Sequence, residues 1–246
     1  MKIRAGWWLY AVLAYLGWLL ATLPLAPLVQ AAREAGVALH LQGETGTLWR
    51  GEALQLVVSG FSLGNPNWSF APTALLRGRL AWDLSFRDAD GAAIGRLAIG
   101  PGGRLELREL SGKLAARRIG PLLPMQPGLA GDLILDAVTL QLRQGLPVAA
   151  HGQVRWLEAA LTSPMPFVIG AAEVELQTAD EDAGIQGHYQ AAGPDLELRG
   201  QLSTSAVGYR TESLLTPRQP QLANWLQSMG LSRVGNDYRF VQEGNW

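Results

Sequence analysis

The chain has 246 residues, of which 48% are apolar and 17% charged, with a formal net charge of −1 and no cysteine. This balance gives no basic excess for binding nucleic acid, and the lack of cysteine excludes disulfides, thiolate catalysis and cysteine metal sites. The 29 glycines and 14 prolines are spread along the chain. Such a distribution is typical of many short strands joined by turns.

The first predicted element is a membrane span at residues 5–32. These residues carry no charge, and the segment before them, 1–4, contains two basic residues. An apolar run of about 20 residues can cross a bilayer as a helix, and preceding positive charge places the N-terminus in the cytoplasm. We therefore predict a cytoplasmic segment at 1–4, a transmembrane signal-anchor at 5–32 and a periplasmic β-rich domain at 33–246.

A cleaved signal peptide is the alternative interpretation of the same segment. Val29-Gln30-Ala31 resembles the small-x-small pattern that precedes a cleavage site. Against cleavage, the apolar region of a signal peptide is usually about 7–15 residues long, and this run is longer. Under either interpretation the remainder of the chain is exported across the inner membrane.

The exported part is predicted to be mainly antiparallel β-structure. The clearest strand alternates apolar and more polar residues, with Leu80, Trp82, Leu84 and Phe86 on one side. Strict alternation indicates one buried and one wet face, which is typical of antiparallel sheets. The same alternation returns at residues 104–108, 173–177 and 196–202. The expected fold is a curved sheet or a sandwich-like domain.

Helical signals are few in the exported part. A short helix is predicted where apolar residues recur at helical spacing between Pro220 and Gly230, at Leu222, Trp225, Leu226 and Met229. A second short helix is predicted around 114–123, and a single helical turn around 72–77. These elements complete a fold of many strands with one or two short helices.

Two features mark the middle of the chain. Prolines cluster near 120–128 and indicate a seam between two halves, with a sheet that is continuous across it as the alternative. Beyond it, the alternation changes register at Asp136-Ala137, which predicts a β-bulge. Residues 77–118 hold nine basic and five acidic side chains. A solvated face explains this excess, and a basic patch facing a membrane or an acidic partner is the alternative.

One nucleophile motif is present and is incomplete. Gly60-Phe61-Ser62-Leu63-Gly64 matches the Gly-x-Ser-x-Gly elbow, which needs a helix directly after the serine turn. Asn65-Pro66-Asn67 follows instead, and the alternating strands and helices of a hydrolase are absent. We interpret Ser62 as a β-turn serine and predict that the protein is not an enzyme.

Metal and cofactor patterns are also missing. His40, His151 and His188 are far apart and have no acidic or histidine neighbour at ligand spacing. The acidic run 180–182 lacks the alternating oxygen ligands of a calcium loop. Glu173 and Glu175 share one predicted strand face, as most wet-face residues do. We therefore predict no catalytic, cofactor-binding or metal-ligating residues and no cofactor.

Several short motifs occur in a characteristic order behind the predicted anchor. They are Gly43-x-x-Gly46-Thr47-Leu48-Trp49-x-Gly51, Trp68, the segment 75–80, and the tail segments 215–218 and 235–238. This series resembles the type II secretion system protein N family. The resemblance implies an accessory inner-membrane component, with one transmembrane helix and other secretion subunits as its partners. It implies no enzymatic activity.

The three tryptophans in this region are Trp49, Trp68 and Trp82. Large aromatic side chains dominate burial in β folds, so we expect a core role. A ligand site is the alternative.

The β-rich pattern behind one anchor also resembles the periplasmic lipid-handling proteins related to AsmA. That resemblance implies an apolar sheet face that shields acyl chains, with phospholipid as a partner. Alternation alone does not distinguish the two functions, because an apolar face can contact a helix, a second sheet or a lipid. The distinguishing feature is whether the inner face is covered, at residues such as Leu80, Trp82, Leu84, Leu196, Leu198 and Leu202.

Overall fold

The computed structural model describes most of the chain, with short gaps. The described residues are 5–25, 29–30, 39–58, 61–123, 126–143, 145–180, 184–205 and 207–245. Some predictions fall outside these ranges, namely the segment 1–4, parts of 5–38, Gly60, Pro124 and the acidic residues 181–182. Those parts stay predictions.

Sixteen strands form one open, curved sheet, and every neighbouring pair is antiparallel. In chain order they are β1 (Leu39–Gln42), β2 (Thr45–Gly46), β3 (Arg50–Glu52), β4 (Gln55–Val58), β5 (Phe61–Phe70), β6 (Leu80–Asp88), β7 (Gly91–Ile99), β8 (Leu105–Ala115), β9 (Gly128–Arg143), β10 (Leu146–Ser163), β11 (Phe167–Asp180), β12 (Gly184–Ala192), β13 (Leu196–Thr204), β14 (Gly208–Pro217), β15 (Ser232–Val234) and β16 (Asp237–Asn245). The mainly β prediction is confirmed, and the curved sheet is the form found.

The strand order in the sheet follows the chain almost throughout. It runs from β1 to β4, continues consecutively to β14, and ends with β16 and then β15. β3 pairs with both β2 and β5 beside this path. Hairpins therefore make most connections, as the scattered turn residues predict.

The alternation in the sequence gives the sheet two distinct faces. Residues paired directly across neighbouring strands share a face. One continuous row of such pairs crosses ten strands and is mostly apolar, through Phe86, Ala93, Gly112, Leu135, Val154, Val174, Tyr189, Gly200, Ser213 and Phe240. We call this side the apolar face. A row on the opposite side, the polar face, runs through Gln153, Glu175, His188, Gln201 and Glu212.

The predicted bulge at Asp136-Ala137 is confirmed. Ala137 has a φ of 47°, and the pairing of β10 with β9 shifts between His151 and Gln153 at this point. The extra residue restores the apolar alternation of β9 to the correct face. A helical turn at Pro72–Arg77 is also found, as a 3-10 helix that ends at Gly78.

Two helices are described, and one of them matches its prediction. Helix α1 covers Ala5–Ala21 and helix α2 covers Pro220–Ser228. Proline at the start of α2 and apolar residues at helical spacing explain why it forms there. The helix predicted around 114–123 is wrong in type, because β8 extends to Ala115 and only 3-10 turns follow, at Ala116–Arg118 and Gly120–Leu122.

The sheet is continuous past the predicted seam near 120–128. β8 pairs with β9 over its whole length, from Leu105 opposite Leu142 to Ala115 opposite Asp132. The connection between these two strands packs back on the sheet, where Ala116 is fully buried. The prolines therefore shape a strand connection and leave the strand order unbroken.

The described part of the predicted anchor is helical at Ala5–Ala21 and again at residues 29–30. Pro24 lies between these two stretches, and proline interrupts helical hydrogen bonding. Within the described residues, neither helix has both the length and the apolarity that crossing a bilayer requires. The membrane span at 5–32 therefore stays a prediction.

Candidate functional site: an apolar cavity and an open strand edge

A cavity of about 310 Å³ lies on the apolar face at the N-terminal end of the sheet. All its lining residues are apolar: Leu25, Val29, Leu41, Leu48, Leu56, Pro66, Trp68, Trp82, Leu84, Phe86, Leu97 and Ile99. Five strands, β1 and β4 to β7, the loop at Leu48 and the chain just after α1 contribute to it. Such a lining offers a ligand dispersion contact and no hydrogen bond.

Two tryptophans form one wall of the cavity, and their polar atoms point away from it. The indole N–H of Trp68 donates to the carbonyl oxygen of Thr47 at 2.9 Å. The indole N–H of Trp82 donates to the carbonyl oxygen of Leu48 at 3.0 Å. Because both donors are satisfied, the rings present only carbon to the cavity. Trp68 and Trp82 are buried, so their predicted core role is confirmed, and they line the cavity as well.

The backbone at Gly51 packs directly against the ring of Trp68. A Cβ atom on Gly51 would overlap the Trp68 ring, so only glycine fits beneath it. Trp49 lies nearby and is half-buried, with its ring at an edge-to-face angle to Phe70, centroids 4.7 Å apart. The motif Trp49-x-Gly51 thus builds the aromatic wall.

The cover of the cavity comes from the segment after α1. Leu25 and Val29 reach across the apolar face, and Val29 is buried. The N–H of Leu48 donates to the carbonyl oxygen of Leu23 at 2.9 Å, which ties this segment to the sheet. The chain therefore leaves α1 at the end of the sheet where β5 ends and β6 begins.

The C-terminal end of the apolar face is covered differently. Leu222 and Leu226 of α2 are 1% and 3% exposed and pack on Leu196 and Tyr238. Leu198 packs against the same cluster and is half-buried. Here the sheet is closed by a helix.

The middle of the apolar face is only partly covered. Leu202, Leu140 and Leu107 are all half-buried, and Leu80 at the sheet end is exposed. Coverage of the apolar face, the feature expected to distinguish a scaffold from a lipid-binding protein, therefore differs along the sheet. The face is closed under α2, contains a cavity beside Trp82, and is half-buried between these two regions.

One edge of the sheet is open. β15 pairs only with residues 237–239 of β16, whereas β16 continues to Asn245 against β14. Within the described residues, no strand pairs with the outer side of 240–245. Phe240 and Val241 on this edge are 36% and 41% exposed. An unpaired strand edge of this kind can accept a strand from a partner.

The basic excess at 77–118 is largely neutralised on the polar face. Glu106 is buried, and its carboxylate accepts hydrogen bonds from Arg79 at 2.9 Å and Arg108 at 2.7 Å. Arg96 bonds Asp83 at 2.7 Å, and this hydrogen bond raises the pKa of the guanidinium. These pairs favour the solvated-face interpretation over a basic docking patch.

A second group of ion pairs fastens the β6–β7 hairpin to the connection after β8. Arg118 pairs with Asp88, and Arg117 pairs with Asp90. Arg118 is mostly buried, and desolvation lowers its pKa. These contacts explain the charge pattern as a structural one.

The residues weighed for catalysis do not assemble. Ser62 lies within strand β5, so its assignment to a β-turn was wrong. The side-chain amide of Gln55 donates to its hydroxyl at 3.4 Å. His40 lies on β1, His151 on β10 and His188 on β12. Among the described residues, no group of three metal-ligating side chains comes together. Glu173 is bonded to Gln153 and Glu175 to Gln177, as ordinary polar-face pairs.

Sequence reasoning missed two parts of this site. Leu25 and Val29 were assigned to the membrane span, and their contact with Trp82 has no sequence signal of its own. The free edge at 240–245 follows from the short β15, which has three residues because it is confined between the end of α2 and the turn at 235–236. The sequence signals were Gly230 and Gly235, with φ of 80° and 66°.

The described residues thus form an open amphipathic sheet with a hollow apolar end and a free edge at β16. The family described as type II secretion system, protein N, matches residues 37–241. The type II secretion system protein N of Vibrio cholerae serotype O1 is 33% identical over 147 residues, covering 58% of this chain and 56% of that protein. The protein of the same name from Aeromonas hydrophila is 29% identical over 176 residues, 69% of each chain.

The match to residues 37–241 covers most of the chain, so this chain belongs to the type II secretion system protein N family. The expected resemblance is thereby confirmed. The alignment spans little more than half of the Vibrio cholerae relative. No solved structure matches this chain. Membership of this family is what supports a component of the type II secretion system as the coarse function.

Proposed function

We propose that the protein is a non-enzymatic scaffold or assembly factor of the secretion machine. Residues 5–32 hold it in the inner membrane, and residues 33–246 lie in the periplasm, where they contact other secretion subunits. The observation that carries the proposal is the free edge of β16 in a member of a secretion system family.

The exposed surface of α1 supports the membrane attachment. Three of its large apolar side chains stay uncovered by the rest of the protein, with Leu13, Tyr15 and Trp18 between 55% and 61% exposed. A helix that is apolar and unburied needs an apolar surrounding. A bilayer supplies that surrounding.

The edge of β16 supports the contact with a partner. Six residues, 240–245, extend over about 20 Å at the usual rise per strand residue. A partner strand of that length gains main-chain hydrogen bonds along the edge, and its side chains meet Phe240 on one face and Val241 on the other. The sheet then continues into the partner.

Gene deletion and complementation test the scaffold role. Deletion is expected to stop secretion across the outer membrane while export into the periplasm stays normal. Val241→Lys is expected to complement poorly, because an inserted lysine protects a strand edge from pairing. The matched control Val234→Lys, exposed on β15, is expected to complement fully. Unchanged secretion after deletion contradicts the proposal.

The cavity favours a second candidate function, in which the apolar face binds the acyl chains of phospholipid. Its volume of about 310 Å³ lies at the low end of small-molecule sites, about 300–1,000 Å³, and its lining is wholly apolar. It adjoins the segment that leaves the proposed membrane helix. A lipid chain is the ligand that matches this chemistry.

Photolabelling with a phospholipid that carries a reactive acyl chain tests the lipid function. The full chain is reconstituted in bilayers, and adducts are mapped by mass spectrometry. We expect adducts on β6 and β7, reduced by Leu97→Trp inside the cavity and unchanged by Ile94→Trp on the exposed polar face. Adducts confined to α1 contradict the lipid function and leave the scaffold proposal standing.

A further inference from the structure

The connection between β5 and β6 projects from one end of the sheet. We call residues 71–79 the β5–β6 turn. None of its residues Pro72–Arg77 is buried. Leu75 is 53% exposed and Leu76 is 90% exposed, the highest exposed fraction among the large apolar residues of the described chain. Two adjacent leucines therefore stand in solvent.

Hydrogen bonds at its base hold this turn in one shape. The N–H of Ala71 donates to the carbonyl oxygen of Ala81 at 2.8 Å, and the N–H of Gly78 donates to that of Leu75 at 2.9 Å. Gly78 has a φ of 67°, so the chain reverses without strain. Arg79 is fixed to Glu106 at 2.9 Å. The leucines are thus presented by an ordered turn.

The charged residues of the turn itself, Arg77 and Arg79, are both basic. No acidic residue occurs between Glu52 and Asp83, whereas Arg77 directly follows the two leucines. Arg77 is exposed, and no ion pair of this side chain occurs in the described structure. Exposed leucines with an adjacent free arginine match the boundary between acyl chains and phosphates.

The β5–β6 turn lies beside the segment that follows α1, which indicates a membrane as its partner. The carbonyl oxygen of Leu23, just after α1, accepts the N–H of Leu48, and the carbonyl oxygen of Leu48 accepts the indole N–H of Trp82 near the start of β6. The N–H of Phe70, the last residue of β5, donates to the carbonyl oxygen of Trp49 at 2.6 Å. The β5–β6 turn and the exit from α1 therefore share one end of the sheet.

We propose that the β5–β6 turn is a second membrane contact. Leu75 and Leu76 enter the interfacial layer of the bilayer, and Arg77 binds lipid phosphate. Together with α1 the turn gives two attachment points, which orient the sheet relative to the membrane. The inference rests on the proposed membrane attachment of α1, because that attachment is what turns this end of the sheet towards the bilayer.

Single-cysteine labelling of the full chain tests this contact. The chain has no cysteine, so each introduced thiol is the only labelling site. Leu76→Cys reports the turn, Trp18→Cys reports α1, and Val234→Cys reports the opposite end of the sheet. Each variant carries an environment-sensitive fluorophore in vesicles of phosphatidylethanolamine and phosphatidylglycerol. Nitroxide-labelled lipids then quench any label that enters the bilayer.

We expect quenching at positions 76 and 18 and none at 234. Adding Arg77→Gln is expected to lower the ratio of quenched to unquenched label at position 76 about fivefold, the effect of one basic side chain at an anionic surface. Quenching at 76 without quenching at 18 supports the membrane contact of the turn and contradicts the membrane attachment of α1.

Three outcomes overturn the inference. Quenching at 18 alone means that the turn stays in water, for example as a protein-binding loop, while the anchor stands. Quenching at all three positions means that the contact is not specific to the turn. Quenching at none overturns the turn and the proposed anchor together.

Discussion

The N-terminal and C-terminal ends of the sheet have the same apolar alternation, but their apolar faces are covered in different ways. At the C-terminal end, α2 packs Leu222 and Leu226 on Leu196 and Tyr238 and closes that part of the face. At the N-terminal end, Leu25 and Val29 close the face only in part and leave a cavity beside Trp82. The burial of each part of the apolar face therefore depends on the segment that packs on it, α2 at one end and the residues after α1 at the other.

The difference has a functional meaning. A helix with apolar residues at helical spacing matches a flat sheet face and excludes solvent and ligand from it. At the other end, Leu25 and Val29 leave an apolar cavity on the side that adjoins α1. The C-terminal end is thus a structural core, and the N-terminal end has space for the ligand of the proposed lipid function.

The largest effect is expected from Leu222→Ala at the closed end. Leu222 is 1% exposed, and removing a fully buried leucine side chain costs about 2–5 kcal/mol in the free energy of unfolding. Chemical denaturation measures the loss. Met229→Ala, exposed on the residue after α2, is the control and is expected to stay within about 0.5 kcal/mol. Equal effects at both positions would mean that α2 does not close the sheet.

A smaller loss is expected from Gly51→Ala at the hollow end. The added methyl group meets the Trp68 ring, and overpacking of this kind costs about 1–3 kcal/mol. Gly100→Ala is the control, because a Cβ there lies 3.8 Å from its nearest neighbour. Thermal unfolding of both variants gives the comparison. A stable Gly51→Ala protein would show that the aromatic wall is loosely packed.

Leu97→Trp tests whether the hollow end is hollow in solution. The larger ring enters existing space, so we expect a change below about 1 kcal/mol in the free energy of unfolding. Leu226→Trp at the closed end is expected to cost about 1–3 kcal/mol, because no space exists there. Denaturant titration of the pair measures the contrast. Similar costs for both would contradict the proposed asymmetry.

The smallest effect is expected from Ser62→Ala. The hydroxyl lies 3.4 Å from the amide of Gln55 and has no base beside it in the described structure. We expect unchanged secretion in a complementation assay and unchanged thermal stability. Loss of secretion with a normally folded variant would restore the enzymatic hypothesis.

The sequence was sufficient for the parts of the fold that depend on local periodicity. Strict alternation around Trp82 predicted an antiparallel strand with two faces, and helical spacing at Leu222 and Leu226 predicted α2. The bulge at Asp136-Ala137 was visible as a change of register. Each of these follows from side-chain direction along a single element.

The remaining features depend on contacts between distant segments. The cavity requires Leu25 to meet Trp82 across the sheet, and no local pattern encodes that meeting. The region 114–123 was predicted as a short helix, whereas pairing of β8 with β9 extends the strand to Ala115. Tertiary pairing overrides local propensity there.

Site-specific photo-crosslinking in living cells tests the central claim most directly. A photoreactive residue is placed at Val241 on the free edge and at Leu97 in the cavity, with Val234 as the exposed control. The account predicts adducts to other secretion subunits from position 241 and none from 234. Absence of protein adducts at 241, with phospholipid adducts at 97, would contradict the scaffold role and assign the protein to lipid binding.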